Sequence, residues 1–204
     1  VELVLGWNNI PFERILYGYG DIETPTKLFG KKVLPILEYD GKIIRESLDI
    51  VSFINSIHGV SRSTLAPETH RFDSWIDQQL KPWQRILSRP RIPKMPVYDW
   101  AQPEDAAYAR DKYSKQGFDY DDALNRTNEA IEQVNLLLVE LDSMLFSIDS
   151  ANSWGVSLDD IILIPELRTL TCTKGIEWPT RVNKYLHKLS ARAGVKLYSE
   201  NSVA

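Results

Sequence analysis

The chain has 204 residues, enough for one large domain or two modest ones, and 43% hydrophobic with 25% charged residues is an ordinary globular composition. A formal charge of −4 and a pI near 5.5 lack the clustered basic excess of nucleic-acid binders. The longest apolar runs, four residues at Leu136–Val139 and Ile161–Ile164, are far below the roughly 20 that a spanning helix needs. These properties predict a cytoplasmic protein with no nucleic-acid partner and no membrane span. Cys172 is the single cysteine, so the 204 residues hold no internal disulfide and no Cys-x-x-Cys pair. His58, His70 and His187 have no metal-ligand spacing, and no metal is expected.

In chain order, "VELVLGWNNIPFE" reads as the end of a helix, with Val1, Val4 and Leu5 on one face and Gly6 as its stop. So short a helix is marginal alone, and the expectation is that it begins before Val1. "FERILY" (Phe12–Tyr17) alternates like a strand. "TPTKLFGKK" reads as a short helix with Thr24 as N-cap, Pro25 at its first position and Gly30 as its stop. "VLPILEY" and "KIIRE" meet at Asp40-Gly41, a strong hairpin signal. "SLDIVSFINSIHG" comes next as an amphipathic helix with Leu48, Val51, Ile54 and Ile57 inward and Gly59 as its end.

The composition then changes. "GVSRSTLAP" (Gly59–Pro67) suggests a linker, and the rest of the chain reads as helix or loop. Phe72, Trp75, Ile76, Leu80, Trp83 and Leu87 mark one helical face, with an interruption near Pro82. Ala130, Val134, Leu137, Leu138, Leu141 and Leu145 mark a second. A very apolar helix from Leu158 to Thr171 is expected at the centre of this half, and a last helix covers about Thr180–Ala193.

Two stretches carry candidate chemistry. In "KKVLPILEYDGKIIRESLDIV", Pro35 enters a strand, where it ordinarily marks an edge because it cannot donate to the ladder. Only about 5–6% of X-Pro bonds are cis, so the residues alone favour trans. A cis bond would instead turn the Leu34 backbone outward to pair with an extended peptide. At Glu46-Ser47, Ser47 is the expected helix N-cap. A helix start also accepts a carboxylate, and the neighbouring Glu46 can accept an ammonium, so the pair suits an α-amino-acid head group. In "GVSLDDIILI", Ser157 and Asp160 fit a capping box, and Val156 with Ile161 fits its hydrophobic staple. That signal is structural, and loss of Asp160 is expected to cost about 1 kcal/mol, more if the site is buried.

Other patterns are set aside. "GYG" (Gly18–Gly20) lacks the third glycine and the strand–helix context of a dinucleotide fingerprint. "RPRIPKMP" is expected to be a loop. "DYDD" (Asp119–Asp122) lacks the glycine and distal glutamate of a calcium loop and is expected to be a solvated turn. Cys172 is expected to be a buried thiol.

Taken with "NNIPFE", "ETPTKLFGKKVLPIL", "ESLDIV", "LDDIILIPELRTLT" and "GIEWPTRVNKY", the chain resembles the glutaredoxin 2 family, the glutaredoxins built like glutathione transferases. The resemblance implies an α/β thioredoxin-like N-terminal domain and an all-α glutathione-transferase-like C-terminal domain. The expected limits are 1–59, a linker at 60–67, and 68–204. It implies that Leu34-Pro35 is the cis-proline dipeptide, with glutathione as cosubstrate against Leu34 and Pro35 and its γ-glutamyl end at Glu46 and Ser47. It also implies a Cys-Pro-x-Cys motif upstream of Val1, so the N-terminal domain is expected to be incomplete here and none of the catalytic residues to lie within these 204. The implied function is glutathione-dependent reduction of disulfides and protein–glutathione mixed disulfides by a monomer. The alternatives are a glutathione transferase acting on small electrophiles and a non-catalytic binding protein of the same fold.

Overall fold

The structure, a computed structural model, describes residues 1–57 and 70–199. The expected linker at 60–67, the stop at Gly59 and His58 lie outside the described residues. The N-terminal half runs α1 (Glu2–Trp7), α2 (Glu23–Phe29), β1 (Ile36–Tyr39), β2 (Lys42–Arg45) and α3 (Ser47–Ile57). The helical half runs α4 (Lys81–Ser88), α5 (Pro103–Lys115), α6 (Tyr120–Asn125), α7 (Thr127–Met144), α8 (Leu158–Leu170) and α9 (Thr180–Arg192).

The hairpin forms where Asp40-Gly41 demands it. Tyr39 pairs with Lys42 across the turn and Ile36 with Arg45 at the far end. Asp40 and Gly41 both take positive φ, 48° and 73°, as the two central positions of a type I′ turn require. "FERILY" is not a strand: residues 10–17 have no ladder partner, and the sheet among the described residues contains β1 and β2 alone. Alternation sets which side chains share a face, but only a paired backbone makes a strand.

The helices around the hairpin differ from expectation at their ends. Glu23 opens α2, and Asp21 rather than Thr24 serves its start, accepting the Thr24 N–H at 2.9 Å. Gly30 closes it in the left-handed conformation at φ 81°. In α3 the buried residues are Ile50, Val51 and Ile54, whereas Leu48 is 49% exposed. Helical geometry puts Ile50, Val51, Ile54 and Ile57 on one stripe and Leu48 at its edge, so the inward position expected for Leu48 belongs to Ile50.

Gly6 does not stop α1, which continues through Trp7. A Cβ on Gly6 would lie 2.0 Å from the Ala193 carbonyl oxygen, so the glycine lets α1 approach the end of α9. Beside it the Trp7 indole N–H donates to the Leu189 carbonyl at 2.8 Å. One hydrophobic core therefore runs through both halves, from Leu3, Val4, Ile50 and Ile54 to Leu163, Leu167 and Leu186.

In the helical half the Phe72–Leu87 face is buried at Phe72, Trp75, Ile76, Leu80 and Leu87. The interruption is a π-helical turn over Trp75–Leu80 that passes into α4 just before Pro82. On α7, Ala130, Val134, Leu138 and Leu141 are buried, while Leu137 packs at the core's margin. α8 is the central helix, with Ile161, Leu163, Ile164, Leu167 and Leu170 buried. "RPRIPKMP" contains a 3₁₀ turn at Ile92–Lys94. "DYDD" is more than a turn: the Asp119 side chain accepts from the Asp121 and Asp122 amides and starts α6. No helix among the described residues is long and apolar enough to cross a membrane.

Candidate glutathione cradle at the end of the hairpin

The hairpin register gathers the candidate residues. Ile36 pairs with Arg45, so continuing the same register outward sets Pro35 opposite Glu46 and Leu34 opposite Ser47. Four residues from two separated segments thus share one end of the hairpin. The Leu34–Pro35 peptide bond is cis, and the Leu34 side chain is 46% exposed. Among the described residues, neither the N–H nor the C=O of Leu34 has a hydrogen-bond partner. An extended residue with both backbone groups open can take one more peptide by strand-like pairing.

Across from it α3 begins. Its first helical bond runs from the Ile50 N–H to the Glu46 carbonyl at 3.0 Å, so Glu46 occupies the cap position and Ser47 is the first helical residue. The expectation that Ser47 is the N-cap is corrected by one position. Glu46 takes φ 66°, a conformation uncommon for a residue with a Cβ, and its side chain is exposed. The first amides of a helix have no acceptor within it, and among the described residues none is present for Ser47, Leu48 or Asp49. The Glu46 carboxylate likewise has no cationic partner among them. One end of this short feature can donate to a carboxylate and the other can accept an ammonium.

A second region, set aside in the sequence, adjoins this end. Gly18 and Gly20 lie against the carboxylate of Asp105 on α5, which accepts the Gly20 N–H at 2.7 Å and the Gln102 N–H at 3.2 Å. A Cβ at Gly18 would stand 2.6 Å from that carboxylate. Tyr19 donates its N–H to the Asp99 carbonyl at 2.8 Å and stacks on Trp100 with ring centroids 4.3 Å apart. "GYG" is therefore a contact between the two halves. Its signal was two glycines around an aromatic, the pattern of a backbone that must come close to something.

The Ser157–Asp160 pair lies far from this end, at the start of α8. Asp160 is fully buried. It accepts from the Ser157 N–H at 2.8 Å, the Ser157 hydroxyl at 3.1 Å, the Ala151 N–H at 2.7 Å and the Tyr185 hydroxyl at 2.7 Å. The capping box is present, but Asp160 also ties a loop and α9 to α8. Burial pushes its carboxyl pKa up, against the pull of these donors. Sequence reasoning missed Tyr185, which is completely buried and whose hydroxyl burial also holds protonated.

Cys172 is completely buried just past α8, and burial raises its thiol pKa. A protonated, enclosed thiol is not a nucleophile. Among the described residues no cluster of His, Cys, Asp and Glu could hold a metal ion.

Comparison with known proteins agrees with this architecture. Residues 71–202 match the family model of the glutaredoxin 2 C-terminal domain, and residues 1–63 match that of the glutathione S-transferase N-terminal domain. Glutaredoxin 2 of Escherichia coli strain K12 is 29% identical over 203 residues, covering 99% of this chain and 93% of the relative, and glutaredoxin 2 of Escherichia coli O157:H7 matches equally. The crystal structure of glutaredoxin 2 from Salmonella typhimurium in complex with glutathione superposes with a TM-score of 0.91 at 27% identity, covering 99% of this chain and 92% of that one. With more than half its length matched by the family model, the chain belongs to the glutaredoxin 2 family.

Proposed function

We propose that the hairpin end holds glutathione and that the protein is a glutathione-dependent thiol–disulfide oxidoreductase, acting on disulfides and protein–glutathione mixed disulfides. The observation that carries the reading is the set of open polar groups brought together by the β1–β2 register: the Leu34 backbone, the first amides of α3 and the Glu46 carboxylate. Leu34 would pair with the backbone of the cysteinyl residue, beside Pro35. Ser47 and the α3 amides would take the γ-glutamyl carboxylate, and Glu46 its ammonium. Glutathione as ligand also accords with the Salmonella relative, whose structure holds it.

In such a reaction a thiolate attacks the glutathione sulfur of a mixed disulfide. The protein thiol leaves, and a second glutathione thiolate then releases glutathione disulfide. The cradle contributes orientation, setting the glutathione sulfur in line with the incoming thiolate. The nucleophile in this reading is a cysteine of a Cys-Pro-x-Cys motif, which these 204 residues do not contain. Cys172 is unsuited to the step.

The proposal extends to a monomer working in the glutathione-rich cytoplasm, with domains at 1–59 and 68–204. The ranges of the two family-model matches support that division. Light scattering on the purified protein tests the monomer.

Calorimetric titration with glutathione tests the cradle. The expected result is one site, with affinity reduced about tenfold in Glu46→Gln, about 1.4 kcal/mol. Absence of binding by the folded chain would overturn the reading. Turnover of the glutathione mixed disulfide of 2-hydroxyethyl disulfide by the native gene product tests the activity, and conjugation of a small electrophile in its place would mark a transferase.

A further inference from the structure

Three cations gather around Tyr19, and none of them forms an ion pair with a carboxylate among the described residues. Lys32, two residues before Leu34, donates to the Tyr19 carbonyl and lies 4.6 Å from the Tyr108 ring centroid. Lys112 on α5 donates to the Tyr19 hydroxyl at 3.2 Å. That hydroxyl stands 2.6 Å from the Tyr113 hydroxyl, and the Arg89 guanidinium lies 4.1 Å from the Tyr113 ring centroid. All three cations are half-buried. Among the described residues no acceptor meets the guanidinium N–H groups of Arg89.

The nearest buried carboxylate, Asp105, is engaged by the Gly20 and Gln102 amides. The rings supply only the weaker attraction of their π faces. Partial burial and the charge of Lys112 hold the Lys32 pKa below its ordinary value, against the weaker pull of Asp21 and Asp105. Burial acts on Arg89 in the same direction. Tyr113 is pushed up to about 12, chiefly by burial, and so stays neutral beside them. A chain of net charge −4 thus concentrates three cations where its two halves meet, next to the proposed cradle, with Asp21 and Asp105 offsetting only part of the charge at Lys32. Half-buried cations without an ion pair are unfavourable, and an incoming anion would relieve all three.

We propose that Lys32, Lys112 and Arg89 form an anion-binding subsite that takes the acidic side chains of the peptide joined to glutathione in a mixed disulfide. The subsite deepens the proposed function and rests on the cradle reading. It gives the protein a preference for glutathionylated cysteines with Asp or Glu neighbours. Each lysine ammonium has two of its three donors left after the bonds to Tyr19, and Arg89 offers a planar fork suited to a carboxylate.

The test uses non-reducible probes: glutathione joined by a thioether to a short cysteine peptide flanked by glutamates, and the same probe flanked by lysines. The acidic probe is expected to bind about fivefold or more tightly than the basic one at low salt. That preference should shrink as added salt shortens the Debye length from about 30 Å at 0.01 M to about 3 Å at 1 M. Lys112→Met should abolish most of the preference while leaving the affinity for free glutathione unchanged, with a thermal melt verifying the fold. Arg89→Gln provides a second variant if Lys112→Met fails to fold. Equal affinity for both probes, with glutathione still bound, would overturn the subsite alone. If Lys112→Met weakened free glutathione as much as the acidic probe, the cations would serve glutathione itself and the proposal would fall. Loss of all binding in the unaltered protein would remove the cradle reading first.

Discussion

The chain contains two helix starts built from a serine and an acidic residue, and they meet opposite fates. At α8, Ser157 and Asp160 turn inward, and one carboxylate satisfies the Ser157 amide and hydroxyl, the Ala151 amide and the Tyr185 hydroxyl. At α3, Glu46 and Ser47 face outward, and the first amides have no acceptor among the described residues. The physics of the helix terminus is the same in both. A terminus closed by its own chain stabilises the fold, and one left open is available to a ligand.

The sharpest way to break the comparison is to remove the closed carboxylate. Asp160→Ala strands four donors in a fully buried site and is expected to destabilise the protein by about 3–5 kcal/mol. That exceeds the roughly 1 kcal/mol expected of a cap deletion alone, because the structure adds Ala151 and Tyr185 to the capping pair. Urea unfolding measures it, and a loss near 1 kcal/mol would mean that only the cap matters.

Gly6→Ala comes next. It drives a Cβ into the Ala193 carbonyl and should cost about 1–3 kcal/mol, read from the same unfolding curves. A neutral outcome would show that α1 and α9 separate easily.

The pH dependence of the closed site has a definite sign. Burial raises the Asp160 pKa in the folded state. The stabilisation linked to its proton is fully present below the unfolded value of about 3.9 and is lost as pH rises through the folded value. Asp160→Asn removes this titration. Its stability relative to the unaltered protein should therefore improve between pH 4 and pH 7, and a parallel pair of stability–pH curves would contradict the shift.

The open site should show the smallest stability effects. Glu46→Gln and Ser47→Ala are expected to change unfolding free energy by no more than about 0.5 kcal/mol, while Glu46→Gln still lowers glutathione affinity. If Ser47→Ala proved as costly as loss of a closed cap, α3 would not have an open start.

Legibility in the sequence tracked the range of the interaction. α8 and α9 were readable to within a residue, and the buried face of α7 and the turn of the hairpin were readable too, because helical periodicity and the Asp-Gly turn act over short distances. The candidate cradle was readable for the same reason: Leu34, Pro35, Glu46 and Ser47 are brought together by one hairpin register. The Tyr19 cluster was not, since Asp105 and Lys112 lie more than eighty residues away in the chain and no local pattern joins them to "GYG".

The sequence by itself therefore determined which segments coil, where the chain turns back and which polar residues stand at two helix starts. The tertiary structure decided that Gly6 is a packing contact, that Leu48 faces outward, that "FERILY" has no ladder partner and that Asp160 joins three elements. It also decided which helix start was closed. Each of these depends on a group arriving from a distant segment, and burial against such a group determines whether a polar end is satisfied within the protein or remains open to a ligand.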